Sequence, residues 1–213
     1  MQSKTIAVDL AKNVFQLAFA DKNDRITKRF RVTRKQFQKV MAQSTPATFV
    51  MEGCASAHHW GRTAQRHGHN VKLLHARYVK AYLRGNKTDA ADADALVRAN
   101  SDPSLVPIAV KSEQQQAIQA LHAIRAQWRG SITARINDAR GILAEFVITL
   151  PKGGADIARR LHQQIEHVPP VLHDALTDVI AEINQLKTRL ARLDQQLNRL
   201  AQEDPAAQRL MGI

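Results

Sequence analysis

Nine apolar residues near the end of the chain constrain its fold more than any other feature. Leu172, Leu176, Val179, Ile183, Leu186, Leu190, Leu193, Leu197 and Leu200 follow one another at steps of 4, 3, 4, 3, 4, 3, 4 and 3. That is an a/d seam sustained for about four heptads, the signature of a coiled coil or a long helical hairpin. The pattern leaves open whether the seam meets the preceding helix or a second chain.

The preceding stretch is helical too. Ile118, Leu121, Ile124, Trp128, Ile132, Ile136, Ala139, Leu143 and Phe146 form an apolar stripe over residues 113–148. Pro151-Lys152-Gly153-Gly154 breaks it, and Pro169-Pro170 makes a second break. The expected organisation is therefore a first domain over 1–110, a long helix over 111–150, a linker over 151–171 and a coiled coil over 172–203. Residues 204–213, beginning within the helix stop Glu203-Asp204-Pro205, read as the start of a further domain that this chain does not contain.

The first 110 residues have another texture. KTIAVDL (4–10) and VFQLAFA (14–20) read as strands joined by a turn at Ala11-Lys12-Asn13, with a third strand over Ile26–Val32. Thr33 is placed to cap a helix reaching Ala42. ATFVM (47–51) and Val71–Leu74 read as further strands, separated by a helix over 56–67 that Gly68 stops. A short helix near Val79–Leu83, a loop at Arg84–Lys87 and a helix from Thr88 or Asp89 to Asn100 follow. Strands first, then helix alternating with strand, predict an α/β fold with a mixed sheet and flanking helices.

Charge separates the two parts as well. The net charge is +12, and +11 of it lies in residues 1–100. Such an imbalance favours a polyanionic partner bound by the first domain. The one cysteine, Cys54, excludes an internal disulfide. No apolar run is long enough to span a membrane, so the expected location is the cytoplasm.

Four carboxylates stand out in this basic domain. Asp9 ends the first strand among Ile6, Ala7, Val8 and Leu10, and Glu52 ends Phe49-Val50-Met51. A carboxylate in an apolar setting is costly without a partner. Asp89 and Asp92 sit three apart at a helix start, nearly one turn, and share a face. Separately, Asp9 reads equally well as a turn former, and the helical pair as a match to the macrodipole. Together they follow the order of an RNase H-like nuclease. Oxygen ligands of this kind suit Mg²⁺ or Mn²⁺, and a pair of such ions can drive in-line attack on a phosphodiester.

The phrases IAVDLAKNVFQLAFAD, FVMEGCASAHHWGR, HARYVKAYLRGNKTDAADADAL and EQQQAIQALHAIRAQWRGSITARINDARGILAEF resemble the insertion-sequence-110 transposase family, relatives of the pilin-gene invertases. The resemblance covers essentially the whole chain. It implies a RuvC-like, RNase H-like domain whose Asp-Glu-Asp-Asp tetrad falls on Asp9, Glu52, Asp89 and Asp92, followed by a coiled coil. Asp94 reads as a surface residue. The family phrase Glu-Ala-Cys-Gly-Ser-Ala-His stands here as Glu52-Gly53-Cys54-Ala55-Ser56-Ala57-His58, with the glycine moved.

Family members continue into a second domain that opens on a Pro-Gly-Ile-Gly phrase and carries a serine nucleophile. No serine here matches it, and Ser56 reads as a helix cap. The resemblance implies DNA and a structured guide RNA as partners, and the heptad seam makes self-association through the coiled coil an expectation. Lys12, Arg29, Arg31, Arg34, Lys35, Arg77, Lys80, Arg84 and Lys87 are the candidate phosphate contacts, which give affinity rather than sequence choice. With aromatics at 5%, no base-stacking platform is expected. His58-His59 and His67-x-His69 lack any zinc frame and read as surface or packing residues. The expected function is DNA strand cleavage and transfer by an insertion-sequence transposase. The alternatives are a nucleic-acid-binding and dimerisation module without catalysis, and a RuvC-like junction nuclease.

Overall fold

The computed structural model describes residues 5–83, 88–150 and 156–211, except for the side chains of Asp89 and Met211. Two compact units divide it, Met1–Gln115 and Gln116–Ile213.

The first unit is built on one five-stranded sheet: β1 (Thr5–Asp9), β2 (Val14–Ala20), β3 (Ile26–Thr33), β4 (Thr48–Glu52) and β5 (Asn70–Leu74). The spatial order is β3-β2-β1-β4-β5. β1, β2 and β3 form an antiparallel meander, while β4 runs parallel to β1 and β5 parallel to β4. Three helices fill the connections between strands and after them: α1 (Arg34–Gln43), α2 (Ala57–Arg66) and α3 (Ala76–Val79), the last running into a 3-10 turn at Lys80–Tyr82. This short helix begins earlier than the expected Val79–Leu83. α4 (Asp89–Asn100) completes the unit.

Local chemistry sets the helix ends. Thr33 and Gln36 make a reciprocal capping box: the Gln36 N–H donates to Thr33 Oγ1 at 3.3 Å, and the Thr33 N–H to Gln36 Oε1 at 2.8 Å. Gly68, at φ 79°, supplies the left-handed residue that stops α2. Thr88 caps α4, accepting the Ala91 N–H at 3.2 Å. Ser56 occupies the N-cap position of α2 as expected, but its side chain makes no capping hydrogen bond.

β1 is central, and four of its five residues are buried because both sheet faces are covered. Ile6, Val8, Phe15, Leu17, Phe49 and Met51 point to α1 and α2, where Phe37 and Trp60 meet them edge to face. Ala7, Ala18, Ala20, Val50 and Leu74 point the other way, onto Ala93, Leu96 and Val97 of α4. Small residues on the α4 face let that helix lie close to the sheet. Trp60 is a core residue.

The second unit is helical. α5 (Glu113–Ala144) begins in the first unit and continues into it, followed by α6 (Ile157–Gln164), α7 (His173–Glu203) and α8 (Pro205–Met211). α6 corrects the expected linker. Ile157, Ala158, Leu161 and Ile165 form an apolar stripe that packs with Ile132, Ile136 and Leu143 of α5 and with Leu176, Ile180 and Ile183 of α7. Arg125 pairs with Asp194 at 2.5 Å and Arg135 with Glu182, so α5 and α7 run antiparallel. No residue of the heptad seam is exposed. Its residues from Leu172 to Leu190 share one apolar cluster with α5 and α6.

Candidate active site

The sheet order fixes where a site can form. From β1 the chain runs out through β2 and β3, then crosses back to β4 on the other side. The carboxyl ends of β1 and β4 therefore flank a topological switch point, where open α/β sheets leave a crevice. Asp9 ends β1 and Glu52 ends β4. The parallel register pairs Val8 with Met51, so the two acids follow side by side. Strand alternation turns both toward α4, since Ala7 and Val50, two residues back, pack beneath that helix.

α4 runs the opposite way to β1 and brings its N-terminal turn over these strand ends. Asp92 lines the same cleft as Asp9 and Glu52, together with Ala76, Val79, Lys80, Leu83 and Leu96; the cleft measures about 370 Å³. The helix N-terminus carries partial positive charge, which favours carboxylates at Asp89 and Asp92. Asp89 is the first helical residue, one turn before Asp92. Its side chain lies outside the described residues. Among the described residues, no three His, Cys, Asp or Glu side chains converge into one metal-ligand shell. The donor set lining the cleft is still all carboxylate, the chemistry a hard divalent ion takes.

Cys54 shares this acidic neighbourhood. Burial pushes its thiol up, and the charges of Glu52 and Asp9 add to the effect. Its backbone belongs to a tight turn: the Gly53 N–H donates to the Leu74 carbonyl and the Cys54 N–H to the Glu52 carbonyl, both at 2.8 Å. A Cβ at Gly53 would stand 2.8 Å from Ile108 Cδ1, so a larger residue here would make the Ile108 side chain shift.

The cations expected to meet phosphate separate by environment. Arg29 is tied to Asp94 of α4, with Nε at 3.0 Å and Nη2 at 2.8 Å from its two oxygens, and this pairing holds the guanidinium above its ordinary range. Asp94 is thus an anchor of α4 rather than a free surface acid. Arg34 donates to the Lys12 carbonyl at 2.7 Å and lies over the Phe15 ring, fastening the β1–β2 turn to α1. Lys12, Arg31 and Lys35 are exposed. Lys80 reaches the cleft, and Arg77 stacks on Tyr78 at 4.6 Å. Arg84 and Lys87 lie outside the described residues.

Two features were not legible in the sequence. Tyr82 donates its hydroxyl to Asp102, and Arg98 donates to the Tyr82 carbonyl at 3.0 Å, fixing the cleft wall near Leu83 to the end of α4. Gln16 stands directly opposite Asp9. No spacing signal marks either, because both depend on strand register and helix packing. The histidines take packing roles where they are buried: His69 accepts the Ala47 N–H and bonds the Met41 carbonyl, and His58 accepts the Lys111 N–H at 3.1 Å. No described helix is long and apolar enough to cross a membrane.

Comparison with known proteins supplies the remaining evidence. The family model for insertion-sequence-110 DEDD proteins, described as "Transposase", matches residues 6–148. A probable family 20 transposase of Pseudomonas aeruginosa is 34% identical over the whole chain, which covers 64% of that protein. The transposase for insertion sequence element IS1328 of Yersinia enterocolitica is 33% identical over 98% of the chain and 63% of its own length. The transposase for insertion sequence element IS1111A of Coxiella burnetii is 31% identical over 99% of the chain and 59% of its own length. The chain spans about three-fifths of the length of these curated relatives.

Proposed function

The chain belongs to the insertion-sequence-110 transposase family, and from that premise we propose that it supplies the acidic half of a DNA strand-cleaving and strand-transferring site. The observation that carries this reading is the convergence of Asp9, Glu52 and Asp92 on one cleft at the carboxyl ends of adjacent parallel strands. The order β3-β2-β1-β4-β5, antiparallel then parallel, supports an RNase H-like domain.

In this reading Asp9, Glu52, Asp89 and Asp92 hold Mg²⁺ or Mn²⁺. When bound, such an ion polarises a phosphodiester and lowers the pKa of an attacking water or hydroxyl. The chain's own contribution is positional. β1 and β4 fix two carboxylates on a rigid sheet, α4 brings Asp92 into the same cleft, and Lys80 offers a cation to phosphate there. A structured RNA partner, which rests on the resemblance, and self-association, which rests on the heptad seam, belong to the same proposal. The antiparallel α5–α7 pair is compatible with a coiled-coil segment.

The test is DNA cleavage or recombination on element-end DNA with Mg²⁺ or Mn²⁺, together with Mn²⁺ binding followed by electron paramagnetic resonance. Asp9→Asn, Glu52→Gln and Asp92→Asn each abolish activity and weaken Mn²⁺ binding, with folding intact by circular dichroism. Unchanged activity in all three overturns the reading. A second reading, nucleic-acid binding without cutting, is supported by the +11 net charge of residues 1–100. It predicts metal-independent binding that falls steeply with salt, and no cleavage.

A further inference from the structure

The acidic cleft continues sideways along the sheet into a row of donors. In the antiparallel register Asp9 pairs with Gln16, and Gln16 pairs with Arg31. Glu52 follows on the other side of Asp9. Each strand step is about 4.8 Å, and directly paired residues project from the same face. One line across the sheet therefore reads Arg31, Gln16, Asp9, Glu52.

The face is fixed independently. Phe15 and Leu17, flanking Gln16, are buried against α1 and α2, while Ala18 packs on α4. Arg29, two residues before Arg31 on β3, reaches Asp94 of α4. Gln16 and Arg31 accordingly lie on the α4 side, the side of the cleft. Gln16 is half-buried and Arg31 exposed. Among the described residues, neither side chain makes a hydrogen bond or ion pair.

Resting on the function proposed above, we propose that Gln16 and Arg31 grip the phosphate backbone of the DNA strand presented to Asp9 and Glu52. Two adjacent carboxylates repel a phosphate, and a strand can approach them only if donors beside them offset that repulsion. A neutral amide next to Asp9 donates without competing as a cation for the carboxylate. The guanidinium one strand further supplies the charge, in the geometry that suits phosphate oxygens. Arg29 sits on the same face but is neutralised by Asp94, which makes it a built-in control.

The test is binding of labelled duplex DNA and of an RNA hairpin of similar length to the full chain. It is run in EDTA over a salt series, beside cleavage measured with Mg²⁺. Arg31→Gln lowers DNA affinity several-fold and reduces the log–log salt slope by about 0.9, one phosphate contact. Gln16→Ala lowers affinity with the slope unchanged, and Gln16→Glu lowers it further. The double variant Arg29→Gln/Asp94→Asn, which removes a neutral pair, leaves the slope as it was. Thermal melting of each variant checks folding. An Arg31→Gln slope equal to wild type overturns the inference alone if Asp9→Asn still abolishes cleavage. So does a loss confined to the RNA hairpin. A wild-type chain that binds no DNA overturns this inference together with the functional reading.

Discussion

Arg29 holds Asp94 with two parallel hydrogen bonds, joining edge strand β3 to helix α4 across 65 residues of sequence. The α4–sheet contact is otherwise apolar and non-directional, with alanines on both sides beside Leu96 and Val97 of α4 and Val50 and Leu74 of the sheet. The fork therefore helps set where along the sheet Asp92 comes to rest. Asp94→Ala is expected to cost about 0.5–1 kcal/mol, the upper part of the range for partly exposed pairs. A thermal-melting double-mutant cycle with Arg29→Ala should return a coupling of that size. Reversing the pair, Arg29→Asp with Asp94→Arg, should recover much of it. Additive single effects would remove the clamp.

The bond from Tyr82 to Asp102 predicts a pH window. Hydrogen bonding to Asp102 raises the Tyr82 phenol above its ordinary range. Hydrogen bonds from Ser104, then from Tyr82, lower the Asp102 carboxyl. A raised phenol contributes stability below the unfolded phenol value that is lost as pH climbs through the folded one. A depressed carboxyl contributes stability above the unfolded carboxylate value that is lost as pH falls through the folded one. The tie is thus intact from roughly pH 4 to 10. The chain has two tyrosines, so absorbance at alkaline pH should resolve a later phenolate that Tyr82→Phe removes. Asp102→Asn should bring it back toward the ordinary range.

Gly53 offers a packing test beside the cleft. Gly53→Ala places a methyl 2.8 Å from Ile108 Cδ1, the far end of a side chain that can give way. The expected cost is about 1 kcal/mol, the low end for overpacking. Combining it with Ile108→Val, which deletes the opposing methyl, should restore part of the loss in urea denaturation. No interaction between the two substitutions would argue against this contact.

The heptad seam predicts a gradient of its own. Ile183 is 0% exposed, whereas Leu190 is half-buried. Ile183→Ala should cost about 2–5 kcal/mol and Leu190→Ala clearly less. Denaturation independent of protein concentration would match a seam met within the chain. A strong concentration dependence would show that a second copy covers it.

Much of the fold was readable because its signals are local. The alternation of Val14–Ala20, the cap at Thr33, the stop at Gly68 and the seam of α7 depend on residues a few positions apart. α6 was missed because its apolar stripe is short and lies between two proline breaks. The fates of Arg29 and Asp94 were missed because their pairing depends on which strand lies beneath α4.

By itself, the sequence determined which residue types are present and which elements they form: carboxylates at two strand ends and one helix start, and a basic first half. Hydrophobic period and capping chemistry act within a turn or two, so they are written in neighbouring letters. Only the tertiary structure decided that Asp9 and Glu52 end side by side, that Asp92 shares their cleft, and that Gln16 and Arg31 continue their row. Those relations follow from parallel pairing of β1 with β4 and from the antiparallel register of the meander. Register is a long-range choice, made by burying both faces of the sheet at once.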